Sequence, residues 1–414
     1  WSTSRDRLKK EAPMADTNGR TGREALGGLG TVTGIGVVLG IVGIGAWFAA
    51  YNQDQTVAWG SYLFAFVLWS VVSLGCLALV ILQNVTKGRW GHALVRFWEA
   101  GAMMLPYLLV VALPMFLVGY KFVYPWADPA KVAADHALQA KQFVMTPGFT
   151  LVRVVLVFVV WMLILLALRS LSRKQDHTGN AMLARTRVNV AGPAAVFFVL
   201  TVTLAATDWV MSLEPHWYST IFGLLFTIGA ALTAMSLGTI YLATVREREP
   251  YSGALYEKQW RDLGNLLLTL TILWAYMSFS QFLIIWSGNL PEEIGYFVKR
   301  QEGVWSNVGA VLVFLHFLVP FFIFLSSLVK TRPQLLRFAA LYLLAVHFVD
   351  VMWMVLPSLG REGGAVHWAD FAAAAGIGGF WIAGMALVLA KTPLVPKFDP
   401  HADQLEGTEV ADHA

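Results

Sequence analysis

Along this chain, apolar runs of about 20 residues alternate with short polar segments, and a run of that length spans a bilayer as one helix. The pattern predicts ten such helices: Leu29–Ala50, Ala58–Ile81, Phe97–Val118, Phe149–Leu168, Ala191–Met211, Ile221–Val245, Leu263–Trp286, Asn307–Val329, Leu335–Leu356 and Asp370–Ala390. The first run is too long and glycine-rich for a cleaved signal, and no small-residue cleavage site follows it. The expected fold class is an all-α integral membrane protein. It has two parallel-repeat four-helix bundles, spans 2–5 and spans 6–9, plus two peripheral helices.

Two sequence echoes carry the expectation of a repeat. Ser73-Leu74-Gly75 in span 2 matches Ser236-Leu237-Gly238 in span 6. Asp208 lies seven residues before Pro215 at the end of span 5, and Asp350 seven before Pro357 at the end of span 9. Corresponding spans run in the same direction, so the repeat is parallel, not inverted. The implied division is 1–27 tail, 28–57 first peripheral span, 58–219 and 220–360 bundles, 361–396 last peripheral span and 397–414 tail. Spans 1 and 10 carry Gly30-xxx-Gly34, Gly36-xxx-Gly40 and Ala375-xxx-Gly379-xxx-Ala383, spacings that let helix backbones approach closely. They are read as packing on the chain's own bundles or on a neighbouring subunit.

Composition agrees with the pattern. The chain is 57% hydrophobic and 14% charged, with mean hydropathy +0.60, against roughly 25% charge in soluble domains. Of 30 Lys and Arg, 23 fall in the two tails and in the loops that follow even-numbered spans. The positive-inside rule then predicts both termini in the cytoplasm, and a net charge of +4 marks sidedness, with no nucleic-acid partner implied. The chain begins at Trp1 and its first methionine is Met14; residues 1–13 are read as an upstream extension or a sequence artefact. The acidic tail from Asp399 is expected to be disordered or docked on a partner. One cysteine, Cys76, rules out an intrachain disulfide and cysteine-ligated clusters. No P-loop, zinc motif or nucleophile constellation is present, and the short extramembrane segments leave little room for one; no resident metal is expected.

Ionisable groups inside spans are costly and are functional candidates. They are Glu99, Arg153, Asp208, His316, His347 and Asp350. His316 and His347 each lie about nine residues from the outer ends of spans 8 and 9, so both are roughly 13 Å deep at 1.5 Å per residue. Asp350 is one turn from His347 on the same helix face. Three readings stand for this group: a polar network that orders the bundle, bis-histidine ligation of one b-type haem, or proton transfer. Arg153 and Asp208 sit at matching depth on neighbouring antiparallel helices, as an ion pair would require. Glu99, beside Arg96 and near His92, is either a solvated interfacial carboxylate or the mouth of an inner proton path. Pro106 and Pro114 in the same span free backbone carbonyls. Tyr276, Ser278, Ser280 and Gln281 in span 7 either line a wet path or bond across helices.

Three stretches look like the F subunit of bacterial alternative complex III: Ala206–Ser219 (Ala-Thr-Asp-Trp-Val-Met-Ser-Leu-Glu-Pro-His-Trp-Tyr-Ser), Ser280–Glu293 (Ser-Gln-Phe-Leu-Ile-Ile-Trp-Ser-Gly-Asn-Leu-Pro-Glu-Glu), and Val349-Asp-Val-Met-Trp353. The resemblance covers about Gly28 to Pro396 and extends to polysulfide-reductase-type (NrfD-like) membrane subunits. It implies a cofactor-free subunit of a quinol oxidase that delivers electrons to a cytochrome c or to a terminal oxidase in the bacterial inner membrane. The implied partners are a homologous C-type membrane subunit, a multi-haem cytochrome c subunit, an iron–sulfur subunit and small membrane or lipid-anchored subunits. Haem c and iron–sulfur clusters belong to those partners. The firmer quinol site belongs to the C subunit, and quinol in this chain stays open. By resemblance, Asp208, Asp350, His316 and His347 are the expected proton-path positions. The expected function is proton movement coupled to quinol oxidation; the alternatives are a structural scaffold or, less favoured, a standalone secondary transporter.

Overall fold

The computed structural model describes residues 21–291, 293–361 and 366–398. Among them are ten helices long and apolar enough to cross a membrane: Leu29–Gln53, Gln55–Thr86, Val95–Val123, Pro147–Thr178, Met182–Leu213, Phe222–Val245, Glu257–Gly288, Gly303–Leu325, Pro333–Leu359 and Trp368–Ala390. The chain is an all-α, ten-span membrane protein. The described residues hold no β-strand, only an isolated bridge between Thr21 and Pro393. The upstream extension at 1–13 and the acidic tail from Asp399 lie outside the described residues.

Several spans outrun their apolar runs. Span 4 continues past Leu168 through Arg169, Arg173 and Lys174 until Gly179 closes it in the left-handed region at φ 64°. A β-carbon would oppose that conformation. Span 8 stops earlier than its apolar pattern, at Leu325, and Ser326 is extended before a separate turn, Ser327–Thr331. Spans 1 and 2 are joined at Asp54 alone, whose side chain accepts hydrogen bonds from Thr56 N–H at 2.7 Å and Val57 N–H at 3.1 Å. That cap satisfies two of the orphan donors of span 2.

Proline disturbs two spans. Span 3 breaks at Met103–Met104 just before Pro106, and after Pro114 it widens into a π-helical segment, Met115–Gly119. Span 8 contains a second, Val313–Leu318, immediately before Val319-Pro320. A proline ring clashes with the carbonyl four residues back, which for Pro320 belongs to His316. The wider turn relieves that clash and re-aims the side chain.

Spans 2 and 6 form the central pair. A β-carbon on Gly75 would lie 1.8 Å from the carbonyl oxygen of Ala230, so glycine is obligatory there for the observed approach. Gly238 admits the indole of Trp98, whose Nε1 donates to Ala234 O at 3.1 Å. Span 2 packs on spans 3 and 5, span 6 on spans 7 and 9, and span 5 crosses to span 6.

Spans 1 and 10 pack chiefly on each other, and span 10 also lies against spans 2 and 3. Gly36, Gly40 and Gly43 face Gly376, Gly379, Phe380 and Ala383; a β-carbon on Gly43 would be 2.2 Å from the amide nitrogen of Gly376. The small-residue spacing therefore serves a seam between the two peripheral helices, which differs from both packings expected from sequence. Gly30 and Gly34 take no part: nothing lies within 4 Å of a β-carbon built on either.

Candidate functional site

One end of the molecule carries the longer connections, between spans 3 and 4 and between spans 7 and 8; we call it the loop-rich end and its opposite the basic end. Near the middle of spans 8 and 9, four helices meet around two imidazoles. Span 8 supplies His316 from its π-helical turn, and span 9 supplies His347 and Asp350. Span 7 supplies Trp274, and span 6 supplies Gly229, where a β-carbon would come within 2.8 Å of His347 Cε1. Glycine at 229 thus makes the room that the His347 ring occupies.

The rings of His316 and His347 stack with centroids 5.2 Å apart, and Trp274 meets His316 edge-on at 3.9 Å. Trp274 Nε1 donates to Asp350 Oδ2 at 3.0 Å. His347 Nδ1 lies 3.3 Å from the same oxygen, yet without the alignment of a hydrogen bond. Both nitrogens of both rings are buried, and no protein group bonds to them. His316 is 0% exposed, His347 3% and Asp350 4%. Bis-histidine haem ligation does not suit the geometry. The imidazoles lie face to face, whereas a macrocycle needs them opposed end-on across a slot.

The triad adjoins a cavity of about 610 Å³ between spans 6, 7, 8 and 9, within the range of small-molecule sites. Trp274 and Asp350 belong to its wall, as do Tyr276, Ser278 and Gln281, but not Ser280. Gln281 accepts a hydrogen bond from Ser219 Oγ at 3.1 Å, so it bonds to the connection between spans 5 and 6. At the loop-rich end of the cavity stands Arg300, which is 1% exposed. Its guanidinium donates to the carbonyls of Tyr296 at 2.9 Å, Trp353 at 3.1 Å and Met354 at 2.7 Å, and lies 3.4 Å over the Tyr296 ring. A cation among the last carbonyls of span 9 opposes the negative end of that helix.

The matched aspartates therefore live in different surroundings. Asp208 forms a bidentate pair with Arg153, Oδ2 to Nε at 2.7 Å and Oδ1 to Nη2 at 2.9 Å. Arg153 also donates to Val144 O at 2.8 Å and Thr150 Oγ1 at 3.2 Å. Asp350 has a tryptophan and two histidines instead.

Glu99 departs from the expectation of a solvated carboxylate. It is 2% exposed and accepts from Arg96 Nη1 at 2.8 Å, with Arg169 Nε 3.9 Å away. Arg96 bridges on to Asp176, which also accepts from the backbone N–H of Lys397 at 2.8 Å. Sequence distance hides this: span 4 and the segment after span 10 fold over the start of span 3 and exclude water. Glu99 lies at the basic end of the first bundle, away from the triad.

Sequence reasoning also misses Asp370 and Arg361. Asp370 is 0% exposed, pairs with Arg361 Nη1 at 2.8 and 2.9 Å, and accepts from Ser61 Oγ at 2.7 Å. Arg361 reads as an ordinary loop cation and Asp370 as the polar edge of a span. Only the docking of span 10 on span 2 joins them. Trp274 and Arg300 give no signal in an aromatic-rich membrane chain.

No family model matches the chain, and no curated protein matches it.

Proposed function

We propose that this chain is an F-type membrane subunit of a quinol-oxidising complex of the alternative complex III kind, and that its second bundle carries protons in step with quinol oxidation. Electrons travel through haem c and iron–sulfur clusters of partner subunits, including a homologous C-type membrane subunit. The membrane is the bacterial inner membrane, with both termini cytoplasmic, as the Lys and Arg distribution favours.

The observation that carries the reading is the pair of stacked, buried imidazoles, of whose ring nitrogens only His347 Nδ1 faces a protein polar group, the Asp350 carboxylate on a cavity wall. An imidazole takes up a proton at one nitrogen and releases one from the other, and a carboxylate 3.3 Å away is the next acceptor. Asp208 is left out of the route by its arginine, and Glu99 by its closed ion network. The test is Asp350→Asn combined with His347→Ala in the reconstituted complex. Proton release per quinol oxidised falls in the variant; an unchanged ratio in a fully assembled complex sinks the reading.

The satisfied ion pairs at Arg153–Asp208 and Arg361–Asp370 favour a second reading, a scaffold that holds the haem and iron–sulfur subunits on the membrane. Co-purification with multi-haem cytochrome separates both from a standalone transporter, which comes out alone.

A further inference from the structure

We infer that His316, His347 and Asp350 also form a binding site for a divalent transition-metal ion, with Zn²⁺ the probe that fits best. Two imidazoles and a carboxylate are a common donor set for such ions, and imidazole disfavours Mg²⁺ and Ca²⁺. One ligand atom from each residue lies within 4.8 Å of the others, all three residues being buried. Ligands at about 2.0–2.2 Å from a tetrahedral zinc stand about 3.3–3.6 Å apart. The donors therefore close by at most about 1.5 Å, a movement on the scale of side-chain torsions.

Two further observations point the same way. Three of the four ring nitrogens face no protein polar group and the fourth, His347 Nδ1, faces only Asp350 Oδ2, so each neutral ring has one lone pair to offer an ion. Trp274 Nε1 holds Asp350 Oδ2 at 3.0 Å, the kind of outer hydrogen bond that orients a ligating carboxylate. Three protein donors leave a fourth position open. Asp350 lies on the cavity wall while the histidines lie behind it, so an ion entering through the cavity meets the carboxylate first. The nearest cation on that wall, Arg300, is already engaged by three carbonyls.

Binding stands on this geometry alone. Its consequence, that an ion and a proton compete for the same nitrogens, rests on the proposed proton route. The experiment titrates the full chain, stripped with chelator in lipid nanodiscs, with Zn²⁺ for stoichiometry and with Cu²⁺ for its electron paramagnetic resonance spectrum. The wild type takes up one Zn²⁺ more than His316→Ala/His347→Ala, and its Cu²⁺ spectrum shows coupling to two imidazole nitrogens. Asp350→Asn, which keeps the shape of the site, weakens binding at least about 10-fold with an unchanged metal-free melting temperature. Equal Zn²⁺ uptake by wild type and double variant, or a Cu²⁺ spectrum without nitrogen coupling, overturns the site. Proton release by metal-free complex bears only on the proton route, so the two failures are told apart.

Discussion

Removing Asp208 leaves Arg153 charged and buried, and the cost follows from the contacts. At 2.7 Å and an effective dielectric near 20, the direct attraction is about 6 kcal/mol before desolvation is subtracted. Breaking a buried pair costs about 3–5 kcal/mol. The carbonyl of Val144 and the hydroxyl of Thr150 still hold the guanidinium, which points to the lower end, about 3 kcal/mol for Asp208→Leu. Arg153→Met strands a carboxylate with no such reserve and falls at the upper end. The double variant removes both desolvation penalties and recovers most of the loss, to within about 1–2 kcal/mol of the wild type. Reversible unfolding in mixed micelles, analysed as a double-mutant cycle, reads the coupling. Additive single effects, or a loss below about 1 kcal/mol for Asp208→Leu, refute the reasoning. Proton release by the assembled double variant stays at the wild-type ratio if the pair is purely structural.

Gly229→Ala sets a methyl against His347 Cε1 at 2.8 Å and Nε2 at 3.3 Å, so the ring shifts and stability falls by about 1–3 kcal/mol. Gly45→Ala, with nothing within 4 Å, is the control and unfolds no earlier than wild type; equal behaviour of the two overturns the packing argument. In the connection between spans 3 and 4, Asp135 loses some ionisation to burial. The N–H groups of Ala137 and Leu138 and the ring of His216 outweigh this and hold its carboxyl below the usual range. Its folded-state pKa is depressed, so its contribution is present above the unfolded value of about 3.9 and is lost as pH falls through the folded one. Hydrogen-exchange protection across 135–141, corrected for the intrinsic pH dependence of amide exchange, falls in that acid window in wild type. Asp135→Asn removes the pH step, and a step that persists in the variant disproves the assignment.

The hydrophobic pattern carries the ten spans because lipid leaves a chain few alternatives. It also places Arg153 and Asp208, and His316 and His347, at equal depths, since residue counting along a straight helix converts directly into height. What counting lacks is azimuth. Whether Asp350 meets an arginine or a tryptophan depends on the rotation of spans 7 and 9, which the similar spacing of Asp208 and Asp350 before proline conceals. Glu99 reads as a solvated group because Arg169, which approaches it, and Asp176, which shares Arg96 with it, lie 70 or more residues away on span 4. The seam of spans 1 and 10 is visible as small residues, but partner choice between two such faces is a tertiary matter.

The π-helical turn Val313–Leu318 makes span 8 a helix with a spare residue. Each residue advances an α-helix by about 100°, so the extra one offsets the face before the turn from the face after it. Deleting a single apolar residue there would restore a regular helix of nearly the same length and swing His316 away from His347. The site is thus a matter of phase as much as of composition: every ligand-bearing side chain survives such a deletion, and the cluster does not.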